Sequence, residues 1–159
     1  MGMFLSVVAG QGGVKVPGAP GTLTLSNGST PSTQINLSWS APSDTGGGTI
    51  SGYRIKKDGS VLVADTSSTG TTYTATGLSA GTSYNFNVAA INEAGTGADG
   101  NTPSHTTLFS YSTTGSPTER TYSGYRSLHW TGSGTFVVAG AAATIDVLVV
   151  SGGGGGGYG

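Results

Sequence analysis

The sequence predicts an all-β fold, an antiparallel sandwich followed by a smaller β module. Along several short segments, apolar and polar residues alternate with a period of two, which is the pattern of half-buried strands. Turn residues separate these segments at spacings of about ten residues, and no helical periodicity lies between them. The composition agrees, because the 159 residues include 30 Gly, 21 Ser and 24 Thr, all poor helix formers.

Charge and residue types exclude several functional classes. Six basic and seven acidic residues give a net charge of −1, whereas a nucleic-acid partner requires a basic surface, so we expect no nucleic-acid binding. The chain has no Cys, which excludes disulfides and Cys-based metal sites. The longest apolar stretch, residues 137–150, is shorter than the roughly 20 residues of a membrane-spanning helix and contains Asp146, so we expect no membrane insertion.

The chain divides into three predicted parts. Residues 1–17 are an apolar, Gly-rich lead that we interpret as a tether. Residues 18–107 carry the regular strand pattern and form the predicted sandwich. Residues 108–159 are rich in Tyr, then in Val, and finally in Gly, with six consecutive glycines at 152–157, and they form the predicted C-terminal β module.

The strands of the sandwich follow from the alternation. Residues 34–40 place Ile35, Leu37 and Trp39 on one face, and Pro42, which cannot donate to a sheet, ends that strand. Four further segments are predicted as strands, at residues 50–57, 61–64, 72–76 and 83–91. The predicted structural core consists of Ile35, Leu37, Trp39, Tyr53, Ile55, Leu78, Tyr84, Phe86 and Val88.

Several motifs of this segment resemble those of the fibronectin type III domain family. Residues 16–20, Val-Pro-Gly-Ala-Pro, resemble the proline-marked entry into its first strand, and Trp39 stands where its second strand carries a core Trp. Residues 78–84, Leu-Ser-Ala-Gly-Thr-Ser-Tyr, resemble its Leu-x-Pro-x-Thr-x-Tyr corner, with Ala80 in place of the proline. Residues 92–97 resemble the loop before its last strand.

This resemblance implies an immunoglobulin-like sandwich over residues 18–107. It also implies that the Tyr84 ring fills the edge of the core while its hydroxyl bonds an upstream backbone group. The absence of the proline implies a looser turn at Ala80. The fold alone does not define the function, because this module occurs in adhesion proteins, in secreted bacterial glycan hydrolases and in phage virions.

The C-terminal part resembles a second group of proteins. Residues 125–138 predict a hairpin that turns at residues 132–134, Gly-Ser-Gly, and residues 145–150 predict a Val-rich strand before the glycine run. This arrangement is similar to the glycine-rich β modules of bacteriophage tail-fibre and other virion proteins. The resemblance implies a protein of the virion.

No residues in the sequence form a pattern typical of catalysis, metal binding or cofactor binding. The acidic residues fall mostly in turns, and no pair has a spacing that indicates acid–base chemistry. His105 and His129 are 24 positions apart and lack the close spacing of a His-based metal site. Residues 95–100 match Gly-x-Gly-x-x-Gly, but no helix follows, so we interpret them as a loop between strands. We expect no enzyme activity and no cofactor.

Aromatic residues are concentrated in the C-terminal part. Because aromatic faces stack on sugar rings and Ser/Thr hydroxyls surround them, four residues are candidate glycan contacts: Tyr111, Tyr122, Tyr125 and Trp130. The other interpretation is a small core built from Leu128, Trp130, Phe136 and Val138. A basic patch on the strand at residues 50–57 is interpreted as a solvated outer face and comprises Arg54, Lys56 and Lys57.

The two ends of the chain carry similar apolar runs. Residues 4–10 resemble residues 147–152, and each run ends in Gly. A two-stranded element is marginally stable in water, so we expect these runs to pair with each other, with a neighbouring copy or with another virion protein. The alternative is that they only cover the sandwich. The candidate assembly residues are Phe4, Leu5, Val7, Val8, Ile145, Val147 and Val149.

Together these patterns predict a non-enzymatic bacteriophage structural protein that displays the sandwich on the virion surface, of a tail-fibre or adhesin type involved in host attachment. Its expected partners are other virion proteins, copies of itself and a host-surface glycan. One alternative is a decoration protein on the capsid of the virion head. The other alternative is a secreted bacterial module that binds a glycan or the cell surface.

Overall fold

The structure, a computed structural model, describes residues 12–122, 125–129 and 132–139. Within these ranges every regular element is a β-strand, and all pairs of strands run antiparallel. The predicted all-β fold class is therefore confirmed. The described ranges also contain no helix with the length and apolarity that crossing a bilayer requires.

The first sheet of the sandwich has three strands in the order β1-β2-β5. They are β1 (Thr24–Asn27), β2 (Ile35–Ser38) and β5 (Thr72–Ala75). The register places Leu37 opposite Leu25 on one side and opposite Tyr73 on the other. The alternation predicted for residues 34–40 thus aims the same face of β2 at the core throughout.

The second sheet is larger and has the order β4-β3-β6-β7, with β8 paired to the beginning of β6. Its strands are β3 (Gly52–Lys57), β4 (Ser60–Val63), β6 (Ser83–Asn92), β7 (Gly95–Asp99) and β8 (Ser104–Thr106). Asp58 and Gly59, both at positive φ, form the tight turn from β3 to β4.

The core lies between the two sheets. All nine side chains that the sequence assigned to it are buried, and Leu23, Ala75 and Ala90 complete the cluster. Trp39 meets Tyr53 edge to face, with ring centroids 5.2 Å apart and planes at 70°, the geometry that aromatic quadrupoles favour. The two sheets are therefore joined by large aromatic side chains at one end of the core.

The segment interpreted as a loop at residues 95–100 is instead largely strand β7, paired with β6 through Ile91–Thr96 and Asn92–Gly95. The reason is a close approach of backbones. A Cβ at Gly97 would collide with the carbonyl oxygen of Pro17, so only Gly lets the chain entering the sandwich lie across this strand.

The entering chain is itself bonded to the sandwich. Lys15 N donates to Gly46 O at 2.9 Å, and Gly18 N donates to Asp44 O at 2.9 Å. The buried side chain of Asn92 donates from Nδ2 to Lys15 O at 2.7 Å and to Thr45 O at 2.9 Å. The last residues of the segment 1–17 therefore pack on the sandwich.

The C-terminal part forms two separate ladders. Strands β10 (Thr118–Tyr122) and β11 (Tyr125–His129) pair with each other, whereas β9 (Ser110–Thr113) pairs with β12 (Phe136–Ala139). The hairpin predicted over residues 125–138 is therefore wrong, because β11 and β12 each pair with an earlier strand. Gly115, at positive φ, allows the backbone at Ser133 to approach closely and directs β12 back to β9.

The corner before β6 is held by Tyr84. Its hydroxyl accepts a hydrogen bond from Ser79 N at 2.9 Å, and Lys57 Nζ lies 4.6 Å from the centre of its ring. Burial raises the pKa of the Tyr84 phenol, but the bond from Ser79 and the charge of Lys57 lower it by more, so that the pKa lies below its ordinary value. At Ala80 the turn is closed by Thr82 Oγ1, which donates to Ala80 O at 3.0 Å.

We expect Tyr84→Phe to lower the free energy of unfolding by about 1–2 kcal/mol, because Ser79 N loses its acceptor in a partly buried site. Urea denaturation at neutral pH measures this difference. Tyr73→Phe, which removes the same hydroxyl from a partly buried ring at the edge of the core, is the matched control and is expected to change stability less. Equal losses in the two variants would contradict this account of the corner.

Candidate functional site

A cleft lies where the sandwich passes into the C-terminal part. Its volume is about 320 Å³, which is near the lower end of the range for small-molecule sites. Two of its lining residues come from the loop between β1 and β2, and four come from the segment that follows β8. The lining residues are Pro31, Ser32, Leu108, Phe109, Ser110 and Tyr111.

The wall formed by the later segment begins at Thr107, which is only 2% exposed. Its Oγ1 donates to Ser79 O at 2.6 Å and accepts from Thr82 N at 3.0 Å, while its own backbone N donates to Thr82 O at 3.0 Å. The chain leaving the sandwich is thus fixed to the corner that Tyr84 holds.

Leu108 continues this attachment on both sides of the cleft. Its backbone N donates to Pro31 O at 2.9 Å, and its carbonyl oxygen accepts from Gly81 N at 3.1 Å. Because Pro31 belongs to the opposite wall, the first of these bonds sets the distance between the two walls. The Leu108 side chain is 46% exposed and that of Phe109 is 38% exposed.

Tyr111 lines the cleft from strand β9. Its ring packs at a tilt against Phe136 of β12, with centroids 5.5 Å apart and planes at 37°. Its hydroxyl donates to Glu119 Oε1 at 3.0 Å. The ring is therefore oriented by its packing against Phe136 and by the bond of its hydroxyl.

The structure describes three of the four predicted glycan contacts and does not bring them to one place. Tyr111 lines the cleft, whereas Tyr122 and Tyr125 are opposite each other at the end of the β10–β11 ladder. Trp130 lies outside the described residues. The sequence interpretation missed Pro31, Leu108 and Phe109. A signal for Phe109 was its spacing of two from Tyr111, which places both residues on one face of an extended chain.

The predicted basic patch divides into two ion-pair sites. Arg54 Nη2 and Lys56 Nζ bond the two carboxylate oxygens of Asp99, at 2.8 and 2.7 Å, on the outer face of the second sheet. Lys57 instead faces Asp58 at 3.5 Å and the Tyr84 ring. Burial raises the pKa of Asp99, but the hydrogen bonds and charges of Lys56 and Arg54 outweigh it and hold that pKa below its usual range.

The remaining chemistry-bearing residues do not converge. His105 Nε2 lies 2.9 Å from Asn27 Oδ1, and the His129 side chain is exposed. Among the described residues no three His, Asp or Glu side chains group as metal ligands. The Gly-x-Gly-x-x-Gly match begins in strand β7 and leads into β8, so no helix terminus stands behind it to hold a phosphate. All seven candidate assembly residues lie outside the described ranges.

With this geometry in place, comparison with known proteins identifies the family. The profile of the fibronectin type III domain matches residues 18–107. The chain belongs to this family, and the resemblance of its corner and its Trp39 strand is confirmed for that segment. Nothing in the comparison shows the glycine-rich phage-like module that we expected after it.

Curated relatives share more than 40% identity with part of the chain. Chitinase 63 of Streptomyces plicatus is 42% identical over 78 residues, 49% of this chain and 12% of that enzyme. Chitinase D of Niallia circulans is 46% identical over 63 residues, 40% of this chain and 11% of the enzyme. Exoglucanase B of Cellulomonas fimi is 41% identical over 63 residues, 40% of this chain and 6% of the enzyme. The chain thus spans about an eighth or less of these relatives.

Solved structures agree on the fold. Domains A168–A170 of titin share 28% identity, with a TM-score of 0.52 over 58% of this chain and 32% of that one. The twitchin kinase region from C. elegans, 24% identical, has a TM-score of 0.53 over 59% of this chain and 17% of that one. Both alignments cover little more than half of this chain, which is about the share that the sandwich occupies.

The relatives show that the prediction of a bacteriophage virion protein is wrong. They are chitinases and an exoglucanase, not tail-fibre, adhesin or capsid decoration proteins. The virion interpretation depended on the Gly-rich C-terminal part. A Gly-rich β segment is compatible with many functions, because glycine has no side chain with which to form a specific site. The expected location on a virion surface depended on the same interpretation. The similarity to hydrolases falls in the domain match, so it shows no catalytic activity in this chain.

We expect Asp99→Asn to lower the free energy of unfolding at pH 7 by about 1 kcal/mol, because two partly exposed ion pairs are lost. The folded pKa of Asp99 lies below the unfolded value of about 3.9, so its contribution is present above that pH and disappears as pH falls through the folded pKa. Urea denaturation of the parent chain and of Asp99→Asn at pH 7 and at pH 2 measures the difference in the free energy of unfolding at each pH.

The matched control for this prediction is a double-mutant cycle with Lys56→Met. The coupling between the two substitutions should be measurable at pH 7 and smaller at the acidic pH, where the Asp99 carboxylate takes up a proton. If the parent chain and Asp99→Asn differed in free energy of unfolding by the same amount at pH 7 and at pH 2, the carboxylate charge would contribute nothing to stability.

Proposed function

We propose that this chain is a non-catalytic accessory module that acts outside the bacterial cell and binds insoluble polysaccharide. One observation carries the proposal: the curated relatives of the sandwich are named as chitinases and an exoglucanase, which are enzymes that act on polysaccharides. In each of them the matched segment is a small share of the enzyme, as an accessory module is.

The surface chemistry supports an uncharged ligand. Only 8% of the residues are charged and the net charge is −1. Ser, Thr and Asn side chains occupy much of the exposed surface of the sandwich and supply hydroxyl and amide groups. A polysaccharide such as chitin or cellulose has no charge and many hydroxyl groups, so it complements this surface without the cost of desolvating ions.

The contacts of four acidic residues support a non-catalytic role. Asp99 is held by two cations, Asp58 accepts from Asn85 N at 2.9 Å, and Asp65 accepts from Ser67 N at 2.8 Å. Glu93 accepts from Thr49 N at 3.2 Å. These carboxylates stabilise turns and strand pairs. Most glycoside hydrolases use two carboxyl groups that face one substrate across a defined gap.

We expect the full chain to be retained on insoluble chitin or microcrystalline cellulose, with retention that is nearly the same at low and high salt because no charge is involved. Depletion of the protein from the supernatant measures binding. Assay of reducing ends in the same tubes measures hydrolysis, and we expect none.

The controls are cationic chitosan beads and an anionic carboxymethyl resin, on which retention at high salt should be low. Failure to bind either neutral polymer would contradict the proposed binding. Release of reducing ends by the purified chain would contradict the non-catalytic role.

A further inference from the structure

We propose that the cleft between Pro31 and Tyr111 is a binding subsite for one or two pyranose rings of a neutral β-linked polysaccharide. This inference rests on the proposed function and gives it a location, since the family match ends at Thr107 and four of the six lining residues lie beyond that residue. The subsite thus belongs to the junction between the sandwich and the C-terminal part.

Two aromatic residues line the cleft. Phe109 and Tyr111 are two positions apart in a segment that continues into strand β9, and both line the cleft. An aromatic face carries partial negative charge, and the axial C–H groups of a β-linked pyranose carry partial positive charge, so ring and sugar stack face to face. Exposure of 38% for Phe109 leaves this ring accessible to a polymer chain.

The rest of the lining combines apolar surface with a few polar groups. Pro31 and Leu108 add apolar surface, and Ser32 and Ser110 add polar groups near the rings. A cleft that is mostly apolar with a few polar groups is the usual form of a small-molecule site. A pyranose ring has the matching character, with apolar faces and a rim of hydroxyl groups.

The lack of charge in the lining favours a neutral ligand over an anionic or cationic one. None of the six lining residues is charged, and the ion pairs of Arg54, Lys56 and Asp99 belong to the outer face of the second sheet. An anionic or cationic ligand in the cleft would lose its hydration without an opposite charge in the lining. A neutral sugar avoids that cost.

Hydrogen bonds hold the walls of the cleft in fixed positions. The bonds of Thr107 to the corner and of Leu108 to Pro31 and Gly81 fix one wall to the other. The Tyr111 ring is oriented by Phe136 and Glu119. A ligand that binds between such walls orders few side chains, so the loss of conformational entropy on binding is small.

Calorimetric titration of the full chain with chitohexaose and with cellohexaose tests the inference. We expect Phe109→Ser to weaken binding by about tenfold or more, because the stacking surface is lost, and Phe109→Trp to keep or strengthen it. The matched control is Val137→Ser, since Val137 is 55% exposed on neighbouring strand β12 and does not line the cleft. That control should bind as the parent chain does.

The outcomes separate the inference from the proposed function. If the parent chain binds and Phe109→Ser binds equally well while remaining folded, the inference is overturned and the proposed function stands. If the parent chain binds neither the soluble oligosaccharides nor the insoluble polymers, both are overturned. If light scattering detects a dimer that Phe109→Ser dissociates, and no sugar binding accompanies it, the cleft is a contact between copies and the inference is overturned.

Discussion

The hydrogen bonds of the buried Thr107 side chain are the constraint on which the candidate site depends. Thr107 Oγ1 bonds Ser79 and Thr82 at the corner before β6, and Tyr84 holds the same corner through Ser79 N. A buried hydroxyl with satisfied partners fixes a backbone far more firmly than an exposed loop contact. The chain therefore leaves the sandwich in a defined direction, and Leu108 reaches the carbonyl of Pro31.

This direction gives the sandwich an exposed aromatic surface that its fold does not supply. The sandwich buries its large aromatic side chains, Trp39, Tyr53 and Phe86, in its own core. The aromatic surface available to a ligand comes from Phe109 and Tyr111, after the family match has ended, and the sandwich contributes the opposing wall at Pro31 and Ser32. The site is thus made by attaching a short aromatic strand to a stable scaffold, which is how loops and edges commonly acquire function.

The sequence predicted the sandwich well and the site only in part. Strict alternation around Ile35, Leu37 and Trp39 identified the buried face, because one sheet face is in contact with a core along its whole length. The C-terminal pairing was mispredicted, since a Gly-Ser-Gly turn is a local signal whereas β9 and β12 pair across more than twenty residues. Pro31 could not be predicted as part of a cleft with Phe109, because their proximity is set by tertiary hydrogen bonds at Thr107 and Leu108.

An NMR titration of the isotopically labelled full chain with chitohexaose tests most directly whether the junction is the ligand surface. The account predicts that the backbone amide shifts that change most belong to Ser32 and to residues 108–111, with smaller changes at Ser79 and Gly81 of the corner. The account would be contradicted if the largest changes were on the outer face of β3, β6 and β7 around Arg54 and Asp99, with the amides of the cleft unchanged.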